Sequence, residues 1–171
     1  GKALAINGDK VYVVNTPDDT LDVIDIVSQA LVDRIRVGVD PVAIAVRPDG
    51  LQVWVSNHVS DTVSVVDTDA ASGTFHEVIA TVQDLDGETF STRFDEPVGV
   101  AFASNQKAYV ALGPANEIAI VDAASYQVVG HLPIRAQDPR SILVKNDRLY
   151  VIPFESNNQS QLSGCLARKI D

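Results

Sequence analysis

The sequence has 171 residues and a mass of 18.3 kDa, ordinarily enough for one domain with a sizeable buried core. Its 13 Lys and Arg against 23 Asp and Glu give a formal net charge of −10, which argues against nucleic-acid binding, since that depends on clustered basic side chains. The 26 Val and 12 Ile favour β-strands over a helical bundle. No run approaches the roughly 20 apolar residues of a membrane-spanning helix, and no signal segment opens the chain.

One strand pattern recurs along the chain. Its clearest copy predicts strands at Val42–Val46, Val53–Asn57, Val63–Asp67 and Val78–Val82, with Pro48-Asp49-Gly50 as the first turn. Asn, Asp, Gly and Pro suit such turns because they adopt or preset the required backbone angles. The copies cover Leu4–Asp25, Pro41–Asp67 and Pro97–Asp122, and a weaker fourth copy begins at Pro139. Four short strands per unit, repeated at a fixed period, are typical of propeller blades.

The repeat period is about 42 residues, with one longer interval. The aromatic residue of the second strand falls at positions 12, 54, 109 and 150, which are separated by 42, 55 and 41 residues. The opening prolines and the closing aspartates give the same intervals within one residue, so about 13 residues are inserted between the second and third copies. We therefore predict blades at about 1–38, 39–83, 96–134 and 135–163, an insertion at 84–95 and a tail at 164–171.

The strands Tyr12-Val13-Val14-Asn15 and Trp54-Val55-Ser56-Asn57, with the opening Pro and a Val-x-Val-hydrophobic-Asp strand, resemble the YVTN family of β-propeller repeats. This family includes lactonase-like and surface-layer-type propellers. The resemblance implies an all-β fold of about four four-stranded antiparallel blades. Because most propellers have more blades and the chain contains no Met, we expect an incomplete portion of a six- to eight-bladed ring. The alternative is a closed or dimer-completed four-blade form.

In such a propeller, the loops between blades and those between second and third strands share the face that usually binds ligands. The candidate binding residues on this face are Asp40, His58, Asp61, Asn116, Glu117, Arg135 and Asp138. The face is acidic, so we expect a protein or a small polar ligand there. The remaining blades or a second chain are the other expected partners.

The insertion is rich in carboxylates that could bind a hard cation. Asp84, Asp86, Asp95 and Glu96 offer oxygen ligands of the kind that Ca²⁺ prefers. The spacing is not that of an EF-hand loop, since Thr89 stands where that loop requires Gly. A solvated acidic hairpin is therefore the competing interpretation, and apart from weak Ca²⁺ binding no cofactor is expected.

Residues that recur at the repeat period are expected to have structural roles. Asn15 and Asn57 close second strands, where Asn side chains commonly bond turn backbone. The aspartates that close the third strands are expected to form turns, and the recurring aromatic residues to pack between blades. These residues are Asp25, Asp67 and Asp122, and Tyr12, Trp54, Tyr109 and Tyr150.

The sequence offers little support for catalysis. His58, His76 and His131 fall at non-equivalent places in their blades, so no set of haem or copper ligands is visible. No haem-attachment, nucleophile-elbow or phosphate-loop motif is present. Cys165 lies alone beyond the last repeat, where a partner in absent sequence or a free thiol would explain it.

Three functions remain open at the level of sequence. The first is a binding or scaffold propeller without catalytic activity, periplasmic or on the surface of a prokaryotic cell, a location that the resemblance implies. The second is part of a propeller enzyme, lactonase-like or redox with a haem, copper or quinone partner, whose site is completed by other sequence. The third is a purely structural repeat module of a larger protein.

Overall fold

The computed structural model describes residues 2–135 and 137–155. These residues form three four-stranded antiparallel sheets and one antiparallel pair, and within each sheet every strand pairs with the strand that follows it in the sequence. The predicted all-β arrangement of blades is therefore confirmed. Cys165, the tail 164–171, the end of the fourth predicted blade and most of the predicted loop 155–158 lie outside the described residues.

The four sheets are here called blades 1 to 4. Blade 1 contains β1 Leu4–Asn7, β2 Lys10–Asn15, β3 Thr20–Asp25 and β4 Ala30–Arg36. Blade 2 contains β5 Pro41–Val46, β6 Gln52–Asn57, β7 Thr62–Asp67 and β8 Val78–Val82. Blade 3 contains β9 Pro97–Phe102, β10 Lys107–Leu112, β11 Glu117–Asp122 and β12 Gln127–Pro133. Blade 4 is described as far as β13 Gln137–Lys145 and β14 Arg148–Glu155.

The third strands end where the sequence predicts turn-forming aspartates. Oδ1 of Asp25 accepts the backbone N–H of Ser28, and Oδ1 of Asp122 accepts those of Ala124 and Ser125. The N–H of Ser28 and then the ammonium of Lys10 lower the pKa of Asp25 well below its ordinary value. These carboxylates therefore close the turn into the fourth strand, as predicted.

The apolar cores lie between successive blades. The core between blades 1 and 2 is built around Tyr12 and Leu21 from one side and Val53 from the other. Trp54 and Val65 of blade 2 meet Val110 of blade 3 in the next core. A third core joins blade 3 to blade 4. Each blade is thus held by the apolar surface that it shares with its neighbours, as in other repeat folds.

The recurring aromatic residues pack between blades, as predicted, in the first three blades. The ring of Trp54 lies edge-on to Phe102 of blade 3, with centroids 5.1 Å apart, and its Nε1 donates to Gln52. The hydroxyl of Tyr12 lies 3.2 Å from Nε2 of His76 of blade 2. Burial raises the pKa of Tyr12 to about 12.

The two strand-closing asparagines differ from the prediction. Nδ2 of Asn15 donates to the carboxylate of Asp18, and Nδ2 of Asn57 donates to the hydroxyls of Thr62 and Ser64. Their amides therefore bond side chains rather than turn backbone. Thr62 lies opposite Asn57 on the paired strand and accepts one of these bonds, whereas Oδ1 of Asn57 is buried without a hydrogen-bond partner among the described residues. No helix within the described ranges is long and apolar enough to cross a membrane.

Candidate functional site

The loops that join second to third strands and the loops that join consecutive blades lie at one end of the sheets, called here the top face. Antiparallel pairing of consecutive strands requires this arrangement, because alternate connections fall at opposite ends of a sheet. Where blades 2 and 3 meet, this face carries one histidine and four carboxylates, called here the acidic junction cluster. Its members are Asp40, His58, Asp61, Asp95 and Glu96.

His58 bridges two carboxylates from different connections. Its Nδ1 lies 3.2 Å from Oδ2 of Asp40, and its Nε2 lies 3.2 Å from Oε2 of Glu96. The backbone N–H of His58 also donates to the carbonyl of Asp40. The ring therefore lies between a carboxylate that precedes blade 2 and a carboxylate that precedes blade 3.

The environment of Asp95 shows that like charges repel each other within the acidic junction cluster. Partial burial and then repulsion from Asp61 and Glu96 raise the pKa of the Asp95 carboxyl, although His58 opposes the shift. A cation placed beside this carboxylate would relieve the repulsion. The cluster can therefore attract a positively charged group.

Two of the predicted binding residues also join blades. Oδ1 of Asp61 accepts the backbone N–H of Glu96 at 2.9 Å, and Oδ1 of Asn116 accepts that of Asp138 at 2.7 Å. Asp19 makes the same contact to the N–H of Asp40. Each of these three, called here the junction hydrogen bonds, links the second turn of one blade to the residue before the proline in the first strand of the next blade.

The sequence contains a signal for the junction hydrogen bonds that the prediction did not use. The acceptors Asp19, Asp61 and Asn116 are 42 and 55 residues apart, which are the intervals of the structural landmarks. All three adopt positive φ, between 52° and 56°, a region that Asp and Asn tolerate better than most residues. Periodic recurrence thus indicates a structural role here as well.

The four carboxylates predicted as Ca²⁺ ligands contact different partners and do not form one group of ligands. Oδ2 of Asp84 lies 2.9 Å from Nε2 of His131. Oδ1 of Asp86 accepts the N–H and hydroxyl of Thr89 and the N–H of Glu88, and these bonds lower the Asp86 pKa. Asp95 and Glu96 belong to the acidic junction cluster.

Across the described residues, no three His, Cys, Asp or Glu side chains are arranged to hold a metal ion. Ca²⁺ binding by the insertion therefore stays a prediction for which the described residues offer no preformed ligand set.

The other two histidines also connect separate parts of the fold. His131, in β12, lies between Asp84 of the insertion and Glu117, whose Oε2 is 3.1 Å from Nδ1 but poorly aligned for a hydrogen bond. His76, in the turn before β8, contacts Asp33 of blade 1 at 2.9 Å and stacks on Phe75. The structure does not bring the three histidines together, as their non-equivalent positions predict.

The last two predicted binding residues lie at the junction of blades 3 and 4. Arg135 lies exposed in the connection between these blades, and Asp138 pairs with Arg140 at 2.7 Å.

The top face also carries exposed apolar side chains. Phe90, at the tip of the insertion, is 77% exposed, and Val59 lies exposed beside His58. Phe94, in contrast, is fully buried in the core between blades 2 and 3 and anchors the insertion. The sequence prediction assigned no role to either phenylalanine.

Solved structures with similar blades are much longer than this chain. Hydrazine Synthase from Kuenenia stuttgartiensis has a TM-score of 0.73 and 25% identity, over 86% of this chain and 39% of that chain. The β-propeller domain of Cps50 (Swd1) from Myceliophteria thermophila has a TM-score of 0.72 and 13% identity, over 90% and 50%. The WD40 repeats of RRP9 have a TM-score of 0.68 and 13% identity, over 86% and 43%.

This chain thus spans half or less of the length of each of these three chains. No protein-family model matches the chain, and no curated protein matches it. In all, 1123 solved chains match, so the fold is widespread and does not by itself identify a function.

Proposed function

We propose that this chain is a YVTN-type β-propeller module that binds a cationic partner on its top face and has no catalytic activity of its own. The single observation that carries the proposal is the acidic junction cluster between blades 2 and 3. The proposed location is extracytoplasmic, in the periplasm or on the surface of a prokaryotic cell, as the resemblance to YVTN repeats implies. Fractionation of cells that express a tagged full reading frame tests this location.

The charge of the cluster supports a cationic partner. Asp40 and Glu96 flank His58, and the pKa of Asp95 is raised first by partial burial and then by repulsion from Asp61 and Glu96, which a bound ammonium or guanidinium group would relieve. Asp86 and Glu88 of the insertion add charge on the same face. A net charge of −10 also favours the approach of positively charged partners at low salt.

The exposed apolar residues of the top face favour a peptide as the partner over a simple inorganic cation. Val59 and Phe90 lie on the same face as the carboxylates and offer contact area to an apolar side chain. Aromatic residues with a charged surround are common anchors in protein interfaces. A peptide segment that alternates Lys or Arg with apolar residues therefore matches this face better than a simple inorganic cation.

Calorimetric titration with a peptide of alternating Lys and Phe tests the proposal. We expect saturable binding that weakens as the salt concentration is raised, because salt screens the solvent-accessible charges of the peptide and of the acidic junction cluster. The double variant Asp95→Asn/Glu96→Gln should weaken binding by about tenfold, the effect of losing about 1.4 kcal/mol.

Asp9→Asn/Asp147→Asn is the matched control, since it also removes two exposed carboxylates, from turns between first and second strands at the opposite end of the blades. Equal weakening by both variants would mean that net charge, rather than the cluster, attracts the peptide. Binding that ignores both salt and the double variant would contradict the proposal.

The identity of 25% to a hydrazine synthase favours a second candidate, in which this chain forms part of an enzyme assembly. The site would then be completed by other sequence, with haem or copper as a partner. Absorbance titration of the full reading frame that contains this chain, with haem and with Cu²⁺, tests this candidate. Saturable binding of either at one site per chain would favour it, and an unchanged spectrum would count against it.

A further inference from the structure

Phe90, at the tip of the insertion, combines an exposed side chain with an unfavourable backbone conformation. Its side chain is 77% exposed, and its φ is 56°. Most residues at positive φ in this chain are Asp, Asn or Gly, which tolerate that region better than a bulky side chain does. An aromatic residue there costs backbone free energy, and an exposed ring recovers little of it through burial. Stability of the fold therefore does not account for Phe90.

Two other residues with ring side chains adopt positive φ among the described residues, and packing compensates both. His76 of blade 2 lies edge-on to Tyr12 of blade 1, with ring centroids 5.9 Å apart. Tyr126 of blade 3 lies with its ring centroid 6.1 Å from that of Trp54 of blade 2. Each of these side chains covers the recurring aromatic residue of the preceding blade. Phe90, in contrast, extends toward solvent.

The hairpin that presents Phe90 is fixed by the rest of the fold. At its base, Phe94 is fully buried in the core between blades 2 and 3, and Oδ2 of Asp84 lies 2.9 Å from Nε2 of His131. At its tip, the backbone N–H of Phe90 donates to the carbonyl of Asp86 at 2.9 Å. The backbone that carries the ring is therefore positioned before a partner binds, which lowers the conformational entropy that binding costs.

The tip lies within reach of the acidic junction cluster. Asp95 follows Phe90 by five positions, and a chain extends by at most about 3.6 Å per residue, so their Cα atoms lie within about 18 Å of each other. About six residues of an extended peptide span the same distance. One short segment can therefore place a cationic group at the cluster and an apolar side chain against Phe90.

The charge around the tip favours a basic peptide over a membrane surface. Asp86 and Glu88 lie in the same hairpin as Phe90, and the chain has a net charge of −10. These charges repel the anionic headgroups of a membrane and attract Lys and Arg side chains. The occupant that fits the tip is thus an apolar side chain within a basic peptide segment.

We propose that Phe90 determines the specificity of the top face, by selecting basic segments that also carry apolar side chains over segments that are only basic. This inference rests on the proposed binding of a cationic partner. It adds that the ring serves contact with the partner and lowers the stability of the fold.

Two peptides of equal charge test the selection, one of alternating Lys and Phe and one of alternating Lys and Ser. All variants are made in the full reading frame that contains this chain. By calorimetric titration, we expect the unmodified protein to bind the Lys-Phe peptide about tenfold more tightly than the Lys-Ser peptide, and Phe90→Asn to reduce this ratio to about two. Phe90→Leu keeps an apolar side chain at the tip and should retain most of the ratio.

Val27→Asn is the matched control. It removes an apolar side chain that is 85% exposed in the turn between β3 and β4, at the end of the blades opposite the top face. This variant should leave the ratio of the two affinities unchanged.

Urea unfolding of the same variants distinguishes a contact role from a structural role. Asn tolerates positive φ, so Phe90→Asn should raise the midpoint of unfolding, whereas Phe90→Leu should not. If the ring instead stabilised the hairpin, Phe90→Asn would lower the midpoint, and the inference would be overturned.

The binding outcomes separate this inference from the proposed function. If Asp95→Asn/Glu96→Gln weakens binding of the Lys-Phe peptide but Phe90→Asn leaves the ratio unchanged, the inference alone is overturned. An equal loss of the ratio in Val27→Asn also overturns it. If neither peptide binds, the proposed function and the inference both fail. Binding to phosphatidylcholine vesicles that is lost in Phe90→Asn would assign the tip to a lipid surface instead.

Discussion

At the scale of single residues, many of the side chains suggested for ligand binding also hold the fold together. Asp61 and Asn116 accept junction hydrogen bonds, and His58 and His131 contact carboxylates from other connections. Asp95 differs, since it faces like charges and its pKa is raised by partial burial and then by Asp61 and Glu96. Structural and ligand-binding roles on the top face can therefore be separated by substitution.

Asp95→Asn should stabilise the chain at neutral pH. Burial and repulsion raise the folded-state pKa of Asp95 above its unfolded value, so its ionised form costs stability above that pKa and the cost disappears as the carboxyl is protonated. Denaturant unfolding at several pH values measures the effect. The difference between variant and parent should shrink as pH falls through the raised folded-state pKa and be lost below about 4, and a destabilised variant at pH 7 would contradict the assignment.

The junction hydrogen bond of Asp61 is tested by comparing two variants. Asp61→Asn keeps an acceptor like that of Asn116, whereas Asp61→Ala loses it and places Ala at a φ of 52°. Both variants remove the charge, so their difference isolates the bond and the backbone preference. We expect Asp61→Ala to be less stable than Asp61→Asn by about 2 kcal/mol in urea unfolding. Equal stabilities would show that the contact contributes nothing.

At the scale of elements, the strands of the first three blades could be predicted closely from sequence. The period-two alternation and the turn residues place β5 to β8 within a residue of their observed bounds. The conformation of the insertion could not be predicted in the same way. It depends on Phe94, whose side chain packs into the core formed by blades 2 and 3. The pairing of Asp84 with His131 is likewise a long-range contact without a local sequence pattern.

Gly38 marks a close approach between the connection of blades 1 and 2 and the end of β6. A Cβ atom at this position would lie 2.5 Å from Oγ of Ser60 and 2.6 Å from the amide of Asn57. Gly38→Ala should therefore destabilise the chain by about 1 to 3 kcal/mol, the usual cost of overpacking. Gly73→Ala is the matched control, since nothing lies within 4 Å of its Cβ position.

Thermal or denaturant unfolding measures the stabilities of Gly38→Ala and Gly73→Ala, and Gly38→Ala should be the less stable of the two. A Gly38→Ala variant as stable as Gly73→Ala would mean that the side chains of Asn57 and Ser60 move aside without cost. The buried amide of Asn57 bonds two hydroxyls, so we expect such movement to break those bonds.

At the scale of the whole molecule, the described blades present an acidic face at one end of their sheets. The repeat period predicts the interior of this series well, because each blade contacts only its neighbours. The period does not predict exposure in the first and last described blades, where Leu4 is 53% exposed and Tyr150 is 42% exposed although their counterparts Ile44 and Trp54 are buried.

The most direct test of the cationic-partner account is calorimetric titration with the peptide of alternating Lys and Phe, comparing the unmodified chain with Asp95→Asn/Glu96→Gln and with Asp9→Asn/Asp147→Asn. We expect the variant of the acidic junction cluster to bind about tenfold more weakly than the unmodified chain, and the control to bind as tightly as the unmodified chain. Equal weakening by both variants, or no weakening by the cluster variant, would contradict the account.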